Sequence, residues 1–384
     1  MMPIQAAKVG CNVRIRQLDV PLLVTTITLV AFGIMMVFSA SYSYALSNMG
    51  DGMFFLTRII RWALIGAAAM SFFAFLDYRI WKKLSNTIMV FSFILLVVVL
   101  TEIGTEINQA KRWIHVAGFS VMPSEIAKFA VILFMAASLE RKKQHLHIFT
   151  QGILPYLFLG AACFFLIYRQ PDFSTAVVLL GIIMVMLFVG GVRITHFLVL
   201  FAGVAALAGS FLLYVFASGQ GYKTRRLVAY LDPWADPSDA GLQAIQSLLA
   251  IGSGGLTGKG IGNGIQKHLH LPEPHNDFIF SIIAEEMGFL GSVFLIVLFS
   301  VFVWRCTRIA VHAPDYFSCL VASGVAALVS IQVVINIGVA TSLLPVTGIP
   351  LPFISYGGNA LAVLMALTGI LLNISMHANY HPGG

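Results

Sequence analysis

The stretch LPEPHNDFIFSIIAEEMGF, residues 271–289, carries the side chains best suited to chemistry. Two prolines and His275 lead into an apolar run that holds Asp277, Glu285 and Glu286. Carboxylates at the edge of an apolar helix, or within it, are costly and mark interior-facing or functional positions. Pro272 and Pro274 keep the approach extended. Asp277 is then expected in the first turn of the helix, whose partial positive end favours a negative charge. Glu285 and Glu286 stand about 100° apart around such a helix, so at most one is expected to share a cavity with Asp277. A simple helix cap would account for the aspartate but not for two deeper glutamates.

Cations and helix breakers cluster in four other segments. KRWI, residues 111–114, sets Lys111 and Arg112 beside Trp113, as an interfacial aromatic anchor also would. MPSEIAK follows, with Ser124 expected to cap a helix after Pro123. Glu125 and Lys128, three apart, would share one helical face as an ion pair. In RQPDFST, 169–175, Arg169 and Asp172 flank a proline, as in a turn with a local salt bridge. IGSGGLTGKGIGNG, 251–264, suggests a phosphate loop but fails its pattern, because Ser253 and Gly260 stand where Gly and Ser or Thr are required. Two readings stay open there: a flexible re-entrant turn, or a turn whose backbone N–H groups and Lys259 approach a diphosphate. LPVTGIPLPFISYGGNA, 344–360, interrupts a helix with three prolines and three glycines. Such backbone at membrane depth is tolerated only where protein buries it or a cavity needs it. Asn336 is a lone polar group in an apolar run, better suited to an interhelical hydrogen bond than to a ligand.

The elements that must position these residues are membrane helices. The chain has 384 residues, 59% hydrophobic and 10% charged, with a mean hydropathy of +0.90. A soluble domain carries roughly 25% charged residues. Apolar runs near 20 residues recur, which fits helices rather than a β-barrel. Ten spans are expected, roughly 20–45, 57–76, 85–103, 122–139, 151–168, 173–191, 194–217, 277–304, 317–343 and 350–376. The fold class is therefore an all-α integral membrane protein, one polytopic domain over 1–384, with both termini cytoplasmic. Residues 1–19 form a cytoplasmic segment, and the first apolar run, from Val20, reads as a retained signal anchor. A large extracytoplasmic loop, 217–276, separates helices seven and eight.

Charge sets the orientation. Lys8, Arg14 and Arg16, then Arg79, Lys82 and Lys83, then Arg141, Lys142 and Lys143, then Arg193, Arg305 and Arg308 all fall on one face, the cytoplasmic one by the positive-inside rule. This accounts for most of the net charge of +7, so a nucleic-acid partner is rejected. Lys111, Arg112, Lys223, Arg225, Arg226, Lys259 and Lys267 lie on the opposite face. Each could pair locally with Asp232, Asp236, Asp239 or Glu273, but the whole set is better explained by an anionic ligand. Cys11, Cys163, Cys306 and Cys319 are scattered and predict no disulfide framework. Neither a 20–50-residue repeat nor an inverted-repeat pairing of the transporter kind is visible.

These motifs, in order, resemble the SEDS family (shape, elongation, division and sporulation), which comprises RodA, FtsW and SpoVE. The landmarks are KRWI with MPSEIAKF, RQPDFST, YLDPWADP, AIQSLLAIGSGGLTGKGIGNGIQK, LPEPHNDFIFSIIAEEMGFLG and PVTGIPLPFISYGGNALAVLMALTGILLNIS. The GNGIQK…LPEPHNDF wording and DPWADP look most like the FtsW/SpoVE branch. The chain departs from the family pattern at Phe173, Ser174, Asn276, Asn359 and Ala360. The resemblance implies a peptidoglycan glycosyltransferase of the bacterial cytoplasmic membrane. Its substrate would be lipid II, a disaccharide-pentapeptide on undecaprenyl diphosphate. Its partners would be a class B penicillin-binding protein transpeptidase, other division or elongation proteins, and membrane lipid. The family's key acidic residue maps to Asp277, and its functional tryptophan region to Trp113.

Asp277 would then act as general base on the GlcNAc 4-hydroxyl. Lys111, Arg112 and Lys259 would stabilise the departing diphosphate. Trp113, Glu125, Lys128, Lys267, His275 and Ser355 complete the candidate substrate-binding set. A divalent cation, magnesium or manganese, could share the charge stabilisation, although no dedicated metal-ligand cluster is apparent. Two other functions compete: a transporter that flips lipid II, and a scaffold that only recruits the transpeptidase.

Overall fold

The computed structural model describes residues 18–107, 110–116, 119–198, 232–235, 241–268 and 274–378. Its helices are α1 (Val20–Met49), α2 (Phe54–Phe75), α3 (Tyr78–Val98), α4 (Pro123–Arg141), α5 (Leu154–Tyr168), α6 (Phe173–Val189), α7 (Leu242–Ser253), α8 (Ile279–Val311), α9 (Tyr316–Ala340) and α10 (Gly358–His377). A π-helical turn, Phe149–Ile153, leads into α5. Seven spans are long and apolar enough to cross a membrane by length and composition: α1, α2, α3, Phe149–Tyr168, α8, α9 and α10. Among the described residues, nine of the ten expected spans fall on helices. Of the other, 194–217, only the first turn at 194–198 is described. Lys223, Arg225, Arg226, Asp236, Asp239, Pro272 and Glu273 also lie outside the described residues, as do Lys8, Cys11, Arg14 and Arg16.

Local sequence sets the helix ends. The Asp19 side chain accepts from Leu22 N at 2.9 Å with Pro21 in the first turn, and α1 stops at Gly50 in the left-handed region. Asp315 and Ser318 form a capping box on α9. At α4 the expectation is corrected: Met122 is the N-cap, Pro123 opens the helix and Ser124 sits buried inside it without capping. The last helix starts at Gly358, later than expected, because Pro350, Pro352 and the turn around Phe353 hold 351–357 out of helical geometry.

Polar contacts sort the helix ends into two sets. At one end Arg305 of α8 grips Asp19 at 2.6 Å, Asp19 N donates to Ser375 of α10, and Tyr78 OH donates to Asp315 at 2.6 Å. Lys82 and Glu140 pair at the same end, 2.5 Å apart. The positive clusters 79–83, 141–143 and 305–308 therefore share one end of the helices, as charge patterning requires. The starts of α6, α8 and α10 meet at the other end, beside the residues linking α9 to α10. α9 and α10 are the most enclosed of the long spans, and α2 and α3 the least. Leu64, Phe75, Val90 and Phe91 are among the large apolar side chains facing outward, as lipid-facing residues would.

Two features of this second end were not expected. Between α3 and α4 lies a three-stranded antiparallel sheet, β1 (Gly104–Ile107), β2 (Ala110–Val116) and β3 (Phe119–Val121). The mostly helical class stands, with this small sheet added. In addition, the segment expected as a large loop contains α7, which packs on α8 and α9. Ser247 Oγ lies 2.6 Å from both Ser281 Oγ and the carbonyl of Ala340.

Candidate active site

The segment before α8 is built from contacts to its backbone. Residues 274–278 form a turn, and the N-cap position falls on Phe278, without a side-chain cap bond. Asp277 thus lies just outside the helix rather than in its first turn, and a simple cap role does not describe it. Its side chain is half-buried. Three consecutive carbonyls are each held from elsewhere. Tyr356 N donates to His275 O at 3.0 Å, Ser355 Oγ to Asn276 O at 2.6 Å, and Asn336 Nδ2 to Asp277 O at 2.9 Å. Gly348 has φ +74°, and a Cβ built on it would lie 3.3 Å from Asp277 Oδ2. The segment between α9 and α10 therefore wraps the aspartate. The structure brings Asp277, His275 and Ser355 together, with Asn336 as the member whose role the sequence left as a generic interhelical bond.

His275 sits in an aromatic enclosure. Its ring centroid is 4.3 Å from that of Phe55 and 5.7 Å from those of Tyr44 and Tyr356, and it is 2% exposed. Burial pushes its pKa down to about 4. Ser355 is buried as well, and its hydroxyl also accepts from Leu351 N at 2.8 Å. In this conformation both residues shape the backbone beneath Asp277 and present almost no surface to a substrate.

The glycine-rich segment does something different from cradling a ligand. α8 is broken at Gly288, with φ +67° and ψ −163°, a region essentially confined to glycine. Residues 254–260 lie against that break. Lys259 N and Gly260 N donate to the carbonyls of Glu285 and Glu286, and Phe289 N and Leu290 N to those of Gly255 and Leu256. Gly258 permits the approach, since a Cβ there would fall 2.1 Å from Glu286 O. The Glu285 carboxylate accepts from Ile265 N at 2.9 Å, from Gln266 N at 3.1 Å and from Lys259 Nζ at 2.7 Å. Of the groups considered for a diphosphate, the N–H groups of Lys259 and Gly260 are thus taken by carbonyls of α8, and the Lys259 ammonium by the Glu285 carboxylate. Lys267 is paired with Glu286 at 2.6 Å, with Ser39 alongside. The local partners weighed for these lysines, as the alternative to an anionic ligand, are Asp232, Asp236, Asp239 and Glu273. The structure supplies Glu285 and Glu286 instead, which explains both buried glutamates.

The remaining candidates divide. Lys128 and Glu125 pair at 2.8 Å, both buried in the first turns of α4. Thr105 faces Trp113 and Glu106 faces Lys111 across β1 and β2, leaving Arg112 as the extra residue of a bulge. The bulge turns Arg112 toward the 169–172 turn, where it donates to the carbonyls of Gln170 and Pro171. Arg112 therefore braces that turn, for which a salt bridge between Arg169 and Asp172 had been expected. Asp172 instead caps α6 at Thr175 N, 3.3 Å away. Lys111 and Trp113 are partly exposed on the hairpin, and Lys111 makes no ion pair with any described residue. Ser174 and Asn359, where the resemblance leads one to expect other residues, act as ties: Ser174 Oγ donates to Thr347 O, and Asn359 Nδ2 to Ser120 O at 2.7 Å. No cluster of three or more His, Cys, Asp or Glu that could hold a metal occurs among the described residues. A groove of about 480 Å³ at the α8 break is lined by Thr257, Ile261, Met287, Leu290 and Phe294 among others, and no residue of the Asp277 group lines it.

Long apolar helices, two polar ends and a half-buried aspartate fixed at one of them define a multi-pass membrane protein with a carboxylate site at a helix mouth. Residues 20–380 match the model of the FtsW/RodA/SpoVE family, described as cell cycle proteins, and the chain belongs to that family. It is 44% identical to stage V sporulation protein E of Bacillus subtilis over 363 residues, 94% of this chain and 98% of that protein. It is 41% identical to a probable peptidoglycan glycosyltransferase FtsW of Geobacter sp. (strain M18), again over 94% of this chain and 98% of the other. Among solved structures, one from work on the structural coordination of polymerization and crosslinking by a peptidoglycan synthase complex superposes with a TM-score of 0.77 at 31% identity, covering 93% of this chain and 97% of that one. The rod shape determining protein RodA of Thermus thermophilus gives 0.69 at 28% identity, covering 95% and 98%.

Proposed function

We propose that this chain is a peptidoglycan glycosyltransferase that polymerises lipid II at the outer face of the bacterial cytoplasmic membrane, with Asp277 as general base. The activity follows from relatives named peptidoglycan glycosyltransferase at about 40% identity over nearly the whole chain. The observation that carries the site is the anchoring of three successive carbonyls, 275 to 277, beneath a half-buried carboxylate at the mouth of α8. A general base needs a fixed position within hydrogen-bond reach of its proton.

In the reaction, the 4-hydroxyl of the acceptor GlcNAc gives its proton to Asp277. The hydroxyl oxygen bonds to the anomeric carbon of the donor sugar. The bond from that carbon to the diphosphate oxygen breaks, and undecaprenyl diphosphate leaves. Of the cations first assigned to that leaving group, Lys259 is paired with Glu285 and Arg112 is committed to the carbonyls of Gln170 and Pro171, which leaves Lys111. It is the cation we assign to the diphosphate. Arg112 supports the neighbouring backbone, and Lys259 and Lys267 hold the broken α8. The partner is a class B penicillin-binding protein transpeptidase, a reading supported by the synthase-complex neighbour. The test is polymer formation from lipid II by the purified chain with its transpeptidase in detergent, where there are no two sides to transport between. Glycan strands support the reading, and lipid II left unpolymerised in that preparation contradicts it.

A further inference from the structure

We infer that Asn336 is a positioning residue for Asp277, acting through the backbone rather than through the substrate. The inference rests on the reading of Asp277 as the base. Asn336 lies in α9 and is 1% exposed. Its Nδ2 donates to Asp277 O at 2.9 Å and to Ile349 O at 2.8 Å, so both amide hydrogens are used. Two carbonyl acceptors also fix which way the amide points, because a flipped amide would set Oδ1 against two carbonyl oxygens. Oδ1 itself is buried and takes no hydrogen bond from any described residue. The side chain works as a double donor.

An ordinary interhelical hydrogen bond would join two regular helices. Asn336 instead joins a helix to two irregular segments, the 274–278 turn and the residues between α9 and α10. Those segments also bond to each other, through Ser355 to Asn276 O and Tyr356 N to His275 O. The second is held in costly backbone geometry. Phe353 has φ +63° and is buried against Phe302 at a centroid distance of 5.2 Å. Strained backbone persists only where its surroundings over-determine it, and Asn336 is one of the groups that do so here. Without its two donors, the peptides of Asp277 and Ile349 lose their common anchor and the carboxylate can shift.

Such a shift affects the chemical step and not the binding of lipid II, since Asn336 has almost no surface with which to touch a ligand. A misplacement of about 1 Å costs on the order of 100-fold in rate. The experiment measures kcat and KM for polymerisation of lipid II by the full-length chain with its transpeptidase. Asn336→Leu, Ser355→Ala and Asp277→Asn are compared with the unaltered protein, each with a melting curve. Asn336→Leu should lower kcat by about 10- to 100-fold with KM within about twofold. Ser355→Ala removes one tie and should lower kcat by roughly 3- to 10-fold in the same pattern. A raised KM with kcat preserved, or no change in either constant, overturns the positioning role. If Asn336→Leu does not fold, Asn336→Ser, which shortens the side chain and keeps one donor, is measured in its place and decides by the same criteria. An inactive Asp277→Asn beside a fully active Asn336→Leu removes the positioning role alone, whereas an active Asp277→Asn removes the base assignment beneath it.

Discussion

Lys267 Nζ lies 2.6 Å from Glu286 Oε1, with both side chains almost wholly enclosed. Ser39 of α1 stands within 2.8 Å of both carboxylate oxygens and accepts from the lysine at 3.1 Å. This contact joins three parts of the chain: the end of the glycine-rich segment, the α8 break and the middle of α1. Removing one partner of such a pair strands a buried charge, whereas replacing both with apolar groups can be neutral.

Lys267→Met is therefore expected to destabilise the protein by about 3–5 kcal/mol. The double variant Lys267→Met with Glu286→Met should recover most of that loss. Thermal melting in detergent, run on both single variants and the pair, measures the difference.

Gly288→Ala should be more damaging than its size suggests. The added methyl would meet Gly258 N at 2.3 Å, and the backbone there has φ +67°. Both the break and the docked 254–260 segment would have to move. Loss of a monodisperse peak in size-exclusion chromatography is the expected outcome, while Gly252→Ala in α7, where an added methyl has nothing within 4 Å, should be tolerated.

His275 predicts a pH dependence of stability. Burial lowers its pKa to about 4, against about 6.5 when unfolded. The unfolded chain binds the proton first as pH falls, so the stabilising contribution is complete above about pH 6.5 and is lost progressively down to about pH 4. The loss amounts to roughly 3 kcal/mol. His275→Phe suits the aromatic enclosure and should flatten melting temperature against pH across that window. A slope unchanged by the substitution would assign the dependence to another group.

Arg112 is expected to act through shape as much as charge. Arg112→Ala frees the carbonyls of Gln170 and Pro171 and should cost about 1.5–3 kcal/mol. Arg112→Lys should not restore it, because an ammonium cannot reproduce the planar fork. Melting curves for the two variants should nearly coincide. Full rescue by lysine would indicate that only the positive charge matters.

The spans were legible because hydropathy acts over 20 residues at a time, and one-sided charge grouped the helix ends correctly. Asp277 stood out because a carboxylate beside an apolar run is rare. What sequence could not supply was pairing at a distance. Lys259 and Glu285 are 26 residues apart, and nothing local tells a glycine that admits a ligand from one that admits a broken helix. Gly288, directly after Glu285-Glu286-Met287 in an otherwise helical run, was the available signal. Arg112 was hidden by a bulge, since its direction depends on register rather than on residue type. Asn336 was visible as an isolated amide, but its two carbonyl partners belong to irregular segments that no periodicity places.

The most direct measurement is glycan polymerisation by purified Asp277→Asn, which keeps side-chain volume and removes the proton acceptor. Assayed on lipid II beside the unaltered protein, it should yield no polymer above background while its melting temperature stays close to that of the unaltered chain. Strands of ordinary length and amount from the folded variant would contradict the central claim that this carboxylate takes the acceptor's proton.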